Sequence, residues 1–325
     1  MTLILTHSDV VGLIDRTEIY DAVERAHADL ATGAATNPGP SSMPLPNGGN
    51  AIPMIAAGSG SSSVKLLSDM PANAARGLPT QRSTVLIASA DTGECEALLD
   101  GRAITAIRTA AASAVASAHL SRQNSTILGL VGAGTLAIEH TRAIARVRGI
   151  EKVLVWSRSR STVESFRSAI DDLDVAVEYA ESPRAVVTGA DILCTLTPSK
   201  DPIVLGDWFH PGLHVNAVGA PPRADHREID SAGMKIARVI VDSTATTLAK
   251  SGDALMAIAD GSITSADLAI ELGHVIVGTA RGRQSEDQVT LFDSVGIGLQ
   301  DLVGARTLIT RARERGVGTE VDMSA

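Results

Sequence analysis

The sequence predicts an α/β protein, and three observations carry that reading. Through its second part, short apolar runs that end in turn residues alternate with helical segments. A glycine-rich turn joins one of those runs to the helix after it. The first third is organised differently, as one helix and then strands separated by Pro, Gly and Ser clusters. At 325 residues the chain has room for two domains, or for one large domain carrying an insertion.

Residues 16–32 read as a helix, with Ile19, Ala22, Val23, Ala26 and Leu30 on one stripe and Gly33 as its stop. Loops rich in Pro, Gly and Ser over 36–63 surround a short strand at 51–56. Strands are expected at 63–67 and 84–90, with a turn at Asp91-Thr92-Gly93, and an Ala-rich helix over 101–120. Further on, strands at 126–131, 152–156, 190–195, 213–218 and 238–242 alternate with helices at 134–148 and 160–171, and a last helix is expected over 290–314. Apolar strands alternating with helices imply a parallel sheet covered on both faces.

Hydrophobic residues make up 44% of the chain but aromatics only 2%, so the core must be built from Ala, Val, Ile and Leu. A net charge of −9 and so few aromatic platforms argue against a nucleic-acid partner. Cys95 and Cys194 form neither a disulfide framework nor a metal-binding spacing, and reduced thiols are expected. The start, MTLILTHSDV, has no positive region or long apolar run of a signal peptide, and no window approaches the ~18 apolar residues of a membrane span. A soluble, cytoplasmic protein with no membrane partner and no bound metal is the expectation.

Ile127 to Val131 is an apolar strand that runs into Gly132-Ala133-Gly134-Thr135-Leu136-Ala137, a G-x-G-x-x-A turn opening a helix. Gly132 would make the tight turn, Gly134 would let a pyrophosphate approach the backbone, and Ala137 would let the helix sit against the sheet. Amides at the start of the helix would then face the phosphates. This is the fingerprint of a Rossmann dinucleotide-binding domain. About 25 residues further on, at the end of the next strand, dinucleotide sites that prefer NAD place a carboxylate for the ribose 2′-hydroxyl. Here the strand ends in Ser157-Arg158-Ser159-Arg160, hydroxyls and guanidinium groups that suit a 2′-phosphate. NADP(H) is therefore the preferred cofactor, with NAD(H) possible. Thr195 and Thr197 stand at a strand's carboxyl end, where such a cofactor passes.

Several segments resemble the ornithine cyclodeaminase/mu-crystallin family. They are Gly77-Leu78-Pro79-Thr80, Ala97-Leu98-Leu99-Asp100-Gly101, Thr105-Ala106-Ile107-Arg108-Thr109-Ala110-Ala111, the glycine loop, His214 to Ala220, Arg227-Glu228-Ile229-Asp230 and Leu291 to Gly296. The resemblance implies a Rossmann dinucleotide-binding domain, residues 120–299, inserted into an α+β dimerisation and substrate domain made from 1–119 and 300–325. It also implies a homodimer, which burial of the Ala-rich helix surface would favour.

By the same resemblance Lys65 is the active-site lysine, placed to hold a carboxylate or polarise a C=N or C=O group, and Arg108 binds the substrate carboxylate. Arg108 has an independent argument, since a guanidinium within an Ala-rich helix needs an anionic partner. The resemblance implies Asp225 at the substrate amine, by analogy with the R-P-D-x-R-E form of mu-crystallin relatives. Here that stretch reads Pro222-Arg223-Ala224-Asp225-His226-Arg227-Glu228, with a residue inserted. Val218 and Ser294 are implied at the cofactor. The early-loop arginine of many members is replaced here by Pro38-Gly39-Pro40-Ser41-Ser42-Met43. His214 reads as a structural histidine at the start of a buried strand, and His226 as a weaker proton-exchange candidate.

The expected function is an NAD(P)H-dependent oxidoreductase that reduces a small imino acid (a ketimine) or interconverts an amino acid and a 2-oxo acid. An ornithine cyclodeaminase-type lyase with bound NAD and a non-catalytic NADP(H)-dependent ligand binder are the alternatives.

Overall fold

A computed structural model describes residues 1–39 and 41–323, so Pro40 of the early loop lies outside the described residues. The chain begins β1 (Thr2–Leu5), α1 (His7–Leu13), α2 (Arg16–Thr32), β2 (Met43–Pro44), β3 (Asn50–Gly58), β4 (Ser61–Asp69), β5 (Gln81–Ser89), β6 (Cys95–Asp100) and α3 (Arg102–Leu120). It continues β7 (Ile127–Val131), α4 (Thr135–Ala145), β8 (Lys152–Trp156), α5 (Arg160–Ala169), β9 (Ala176–Tyr179), α6 (Pro183–Gly189), β10 (Ile192–Thr195) and β11 (His214–Ala217). The remainder is α7 (Ser231–Ile236), β12 (Arg238–Val241), α8 (Thr244–Lys250), α9 (Gly252–Ala259), α10 (Leu272–Ile276), β13 (Thr290–Asp293), α11 (Gly298–Arg315) and β14 (Thr319–Val321).

Two compact units result, one from Met1–Arg108 with Ile297–Ala325 and the other from Thr109–Gly296, so the division falls inside α3. In the first unit the sheet order is β14-β1-β6-β5-β4-β3-β2, antiparallel apart from the β1–β6 pair. Its core joins Leu3, Leu5, Val85, Ile87 and Leu99 of the strands to Leu302, Leu308 and Ile309 of α11. Helix α2 starts at an Asp15 cap and stops at Gly33, whose φ of +78° is the left-handed turn that glycine adopts without strain.

The second unit is a parallel sheet in the order β12-β13-β11-β10-β7-β8-β9. The chain starts at β7, moves outward through β8 and β9, then returns to β10 on the other side. The strand order therefore reverses between β7 and β10, which is where open α/β sheets of this kind bind ligands.

Residues 290–293, expected to begin a helix, form β13 instead. All four residues of Thr-Leu-Phe-Asp are buried in the interior of the sheet, and a turn with Gly296 at φ +86° separates them from α11. Two buried faces leave a strand this short with no alternating pattern, so helix and strand read alike in sequence. The sequence reading also passed over β1, β2, β6, β9 and β14.

Candidate functional site

The first unit holds a buried ionic group. Strand β4 buries Ser61, Ser63, Lys65, Leu67 and Asp69 on one face and leaves Val64 and Leu66 exposed on the other. Lys65, only 1% exposed, donates through Nζ to Thr105 Oγ1 at 2.7 Å and to Asp301 Oδ1 at 2.9 Å. Arg108 of α3 reaches the same Oδ1 through Nε at 3.3 Å, and Gln300 Oε1 through Nη1 at 2.7 Å. Lys65 and Arg108 are thus brought together on one carboxylate.

Asp301 and Gln300 are completely buried near the start of α11. With its oxygen accepting from Arg108, Gln300 turns its amide nitrogen to His27 Nε2 at 3.1 Å. The ring therefore accepts at that nitrogen and is neutral, and burial pushes its pKa down to about 4. Burial also pushes Lys65 down to about 8, opposed by Asp301 and assisted by the Arg108 charge. Two cations share one carboxylate, so the group carries a surplus positive charge in a dry environment. Such a charge is costly unless it meets an anion.

His27, Gln300 and Asp301 escaped the sequence reading. A signal was present for Asp301, which shares a helical stripe with Ala305, Leu308 and Ala312, all buried. A carboxylate on an apolar stripe calls for a buried partner.

In the second unit the glycine turn lies at the strand reversal. Gly132 has φ +118°, and a Cβ there would come within 2.8 Å of the Leu196 carbonyl oxygen. Gly134 is the N-cap of α4, with no side-chain cap, and nothing lies within 4 Å of the place its Cβ would occupy. The first turn of α4, Thr135-Leu136, thus opens onto free space, while Ala137 is completely buried under it. A cavity of about 400 Å³ is lined by Gly132, Ala133 and Gly134, by Ser157, Arg158 and Ser159 after β8, and by Thr197 after β10. Cradle, open helix end and cavity together fit a dinucleotide.

Arg158 is exposed and forms no hydrogen bond or ion pair among the described residues. Arg160 instead lies over the Tyr179 ring, 5.2 Å from its centroid. Thr195 is buried inside the sheet, so of the two threonines it is Thr197 that reaches the cavity. Val218 and Ser294 line a separate small cavity after β11 and β13, where Ser294 Oγ donates to Asp242 Oδ2 at 3.1 Å. Asp225 is 62% exposed in the loop after β11, paired with His226 Nδ1 at 3.0 Å and Lys200 Nζ at 3.7 Å. His214 is buried with Nδ1 on Thr290 Oγ1 at 3.0 Å, a structural histidine.

Glu228 was quoted in a motif but given no role. It is completely buried, and its Oε1 accepts from Thr197 N and Thr197 Oγ1, both at 2.6 Å, while Oε2 accepts from Gly219 N at 2.7 Å. Burial pushes its carboxyl up to about 7, against the bonds from Thr197 and with the nearby Asp253 charge.

A profile of the ornithine cyclodeaminase/mu-crystallin family matches residues 1–316. The chain is similar to a Δ1-pyrroline-2-carboxylate reductase of Bacillus cereus, 32% identical over 98% of this chain and 99% of that protein. Among solved structures it is similar to Thermococcus litoralis Δ1-pyrroline-2-carboxylate reductase in complex with NADH and L-proline, with a TM-score of 0.94 and 34% identity over 98% of this chain and 100% of that one. An archaeal alanine dehydrogenase dimer with bound NAD gives a TM-score of 0.94 at 31% identity, over 99% of each chain.

Proposed function

The chain belongs to the ornithine cyclodeaminase/mu-crystallin family, and on that premise we propose that it is an NAD(P)H-dependent oxidoreductase reducing a small imino acid, or interconverting an amino acid and its 2-oxo acid. The observation that carries this reading is the surplus positive charge on the Lys65–Asp301–Arg108 group. It calls for an anion of the size of one carboxylate. Arg108 binds and orients that carboxylate, and the Lys65 ammonium polarises the C=N or C=O group beside it. Gly132, Ala133, Gly134 and the first turn of α4 would hold the dinucleotide, whose nicotinamide, when bound, would supply or take up the hydride at the substrate's α-carbon.

Arg158 gives the cofactor preference its basis. An exposed guanidinium with no partner among the described residues, flanked by Ser157 and Ser159, suits a 2′-phosphate, so NADP(H) is preferred over NAD(H). Asp225 keeps only a secondary place at the substrate amine, since it is already engaged by His226 and Lys200.

The working form is proposed to be a homodimer, as in the archaeal alanine dehydrogenase, but on a different surface from the one expected. Ala110, Ala111, Ala112, Ala114 and Ala116 of α3 are already buried within the single chain. The outer face of β3 and β4 instead exposes Ile55, Val64 and Leu66, with Ile55 directly opposite Val64. A second copy covering that face would remove this apolar surface from water.

Titration with NADPH and NADH, followed by cyclic imino acids and 2-oxo acids with ammonia, tests the reading at the nicotinamide absorbance. Oxidation of NADPH by a cyclic imino acid is the expected result. Tight dinucleotide binding with no redox change for any of these substrates overturns it.

A further inference from the structure

Glu228 is a completely buried carboxylate, and no ion pair reaches it among the described residues. Leaving a carboxylate in such a place is costly unless donors surround it. Its donors are Thr197 N, Thr197 Oγ1 and Gly219 N. Thr197 lies on the turn leaving β10 and Gly219 on the turn leaving β11, two neighbouring parallel strands. The two turns touch, for a Cβ on Gly219 would run into Thr197 N. Glu228 is itself fixed by Asp253, whose Oδ1 accepts from the amides of Glu228 at 2.9 Å and Ile229 at 2.7 Å. One carboxylate therefore ties together the carboxyl ends of two strands on the far side of the strand reversal from β8. A dinucleotide spanning that reversal places its two halves on opposite sides of it. With the adenosine half at Arg158 after β8, the nicotinamide half would lie toward β10 and β11.

We propose that Glu228 is a positioning residue for the nicotinamide half of the dinucleotide, acting through Thr197 and Gly219. This rests on the dinucleotide reading above. A carboxylate accepts at both oxygens and so serves all three donors. An amide of the same shape turns an NH₂ group toward at least one of them, and the two turns separate.

The test is Glu228→Gln, with NADPH, NADH and 2′,5′-ADP titrated against wild type and variant. Loss of the clamp is expected to weaken the better dinucleotide by about ten-fold or more, while 2′,5′-ADP, which lacks the nicotinamide half, changes by less than about two-fold. Unchanged dinucleotide affinity overturns the proposal, and so does an equal loss for 2′,5′-ADP, which would mark Glu228 as a general scaffold residue. Thr197→Val removes one of the three bonds and keeps the carboxylate buried. It serves if the first variant does not fold, with a several-fold loss confined to the dinucleotides expected and no loss overturning the proposal. Failure of the wild-type chain to bind either dinucleotide would instead overturn the parent reading, and this one with it.

Discussion

Lys65 Nζ and Asp301 Oδ1 stand 2.9 Å apart with neither side chain more than 1% exposed, and the second cation on that oxygen, Arg108, leaves the carboxylate outnumbered. Removing Asp301 would strand two buried cations. Asp301→Ala is expected to destabilise the protein by about 3–5 kcal/mol, the usual effect of breaking a buried pair. Chemical denaturation checks this. Lys65→Met leaves Arg108 and Asp301 balanced, so it is expected to cost far less stability while abolishing turnover.

Arg108→Ala is expected to raise the substrate KM by about 100-fold or to remove turnover, because a charge-assisted pair is lost at a buried site. Dinucleotide affinity should be nearly unchanged, since Arg108 belongs to the unit that lacks the glycine turn. Steady-state kinetics beside direct dinucleotide titration decide it, and unaltered KM and kcat would remove Arg108 from the substrate's carboxylate.

Arg158→Ala is expected to weaken NADPH by about ten- to a hundred-fold, the range of one charge-assisted hydrogen bond, and to leave NADH nearly untouched. An equal effect on both dinucleotides would show that the guanidinium does not read the 2′-phosphate.

Glu228 gives stability a pH dependence of known sign. Its carboxyl is raised from 4.5 to about 7 in the folded chain. Between those values the folded protein keeps a proton that the unfolded chain releases, so this contribution is complete below about pH 4.5 and is lost as pH rises through 7. Glu228→Gln is therefore expected to make the fall in stability with rising pH across that window shallower. Melting temperatures of wild type and variant at intervals from pH 5 to 8 check it, and parallel curves would contradict it.

Leu66→Asp is expected to turn the proposed homodimer into a monomer by placing a charge on the exposed face of β3 and β4. Light scattering on wild type and variant measures the change, and an unaltered mass would place the interface elsewhere.

What could be read in the sequence followed from how local each signal was. The glycine turn is a contiguous string whose strand and helix flanks constrain one another, so its geometry was legible in full. Lys65 was legible only through resemblance. Its strand turns Val64 and Leu66 outward and the lysine inward, the reverse of what a single chain's hydrophobic pattern suggests. Gln300 and Asp301 lie more than 190 residues from the arginine they hold, and no spacing rule connects positions so distant. Glu228 escaped for a related reason, since its partners are mostly backbone amides and these leave no mark in sequence.

Strand β13 sits between β11 and β12 although it is made after both. During synthesis β12 thus has no strand to pair with until β13 has emerged, and only Val241 finds an earlier partner, in the stretch Ile270–Glu271. The first unit waits longer still, because α11 brings Leu302, Leu308 and Ile309 to a core whose strands were finished by residue 100. Both units close their cores with late segments, so neither can complete its packing as an early product of translation. Folding dominated by such remote pairings is slow and leaves apolar strands uncovered meanwhile. A ribosome stalled before β13 should therefore carry a nascent chain that proteases still cut within β7 to β12, and release of the full chain should abolish that cutting.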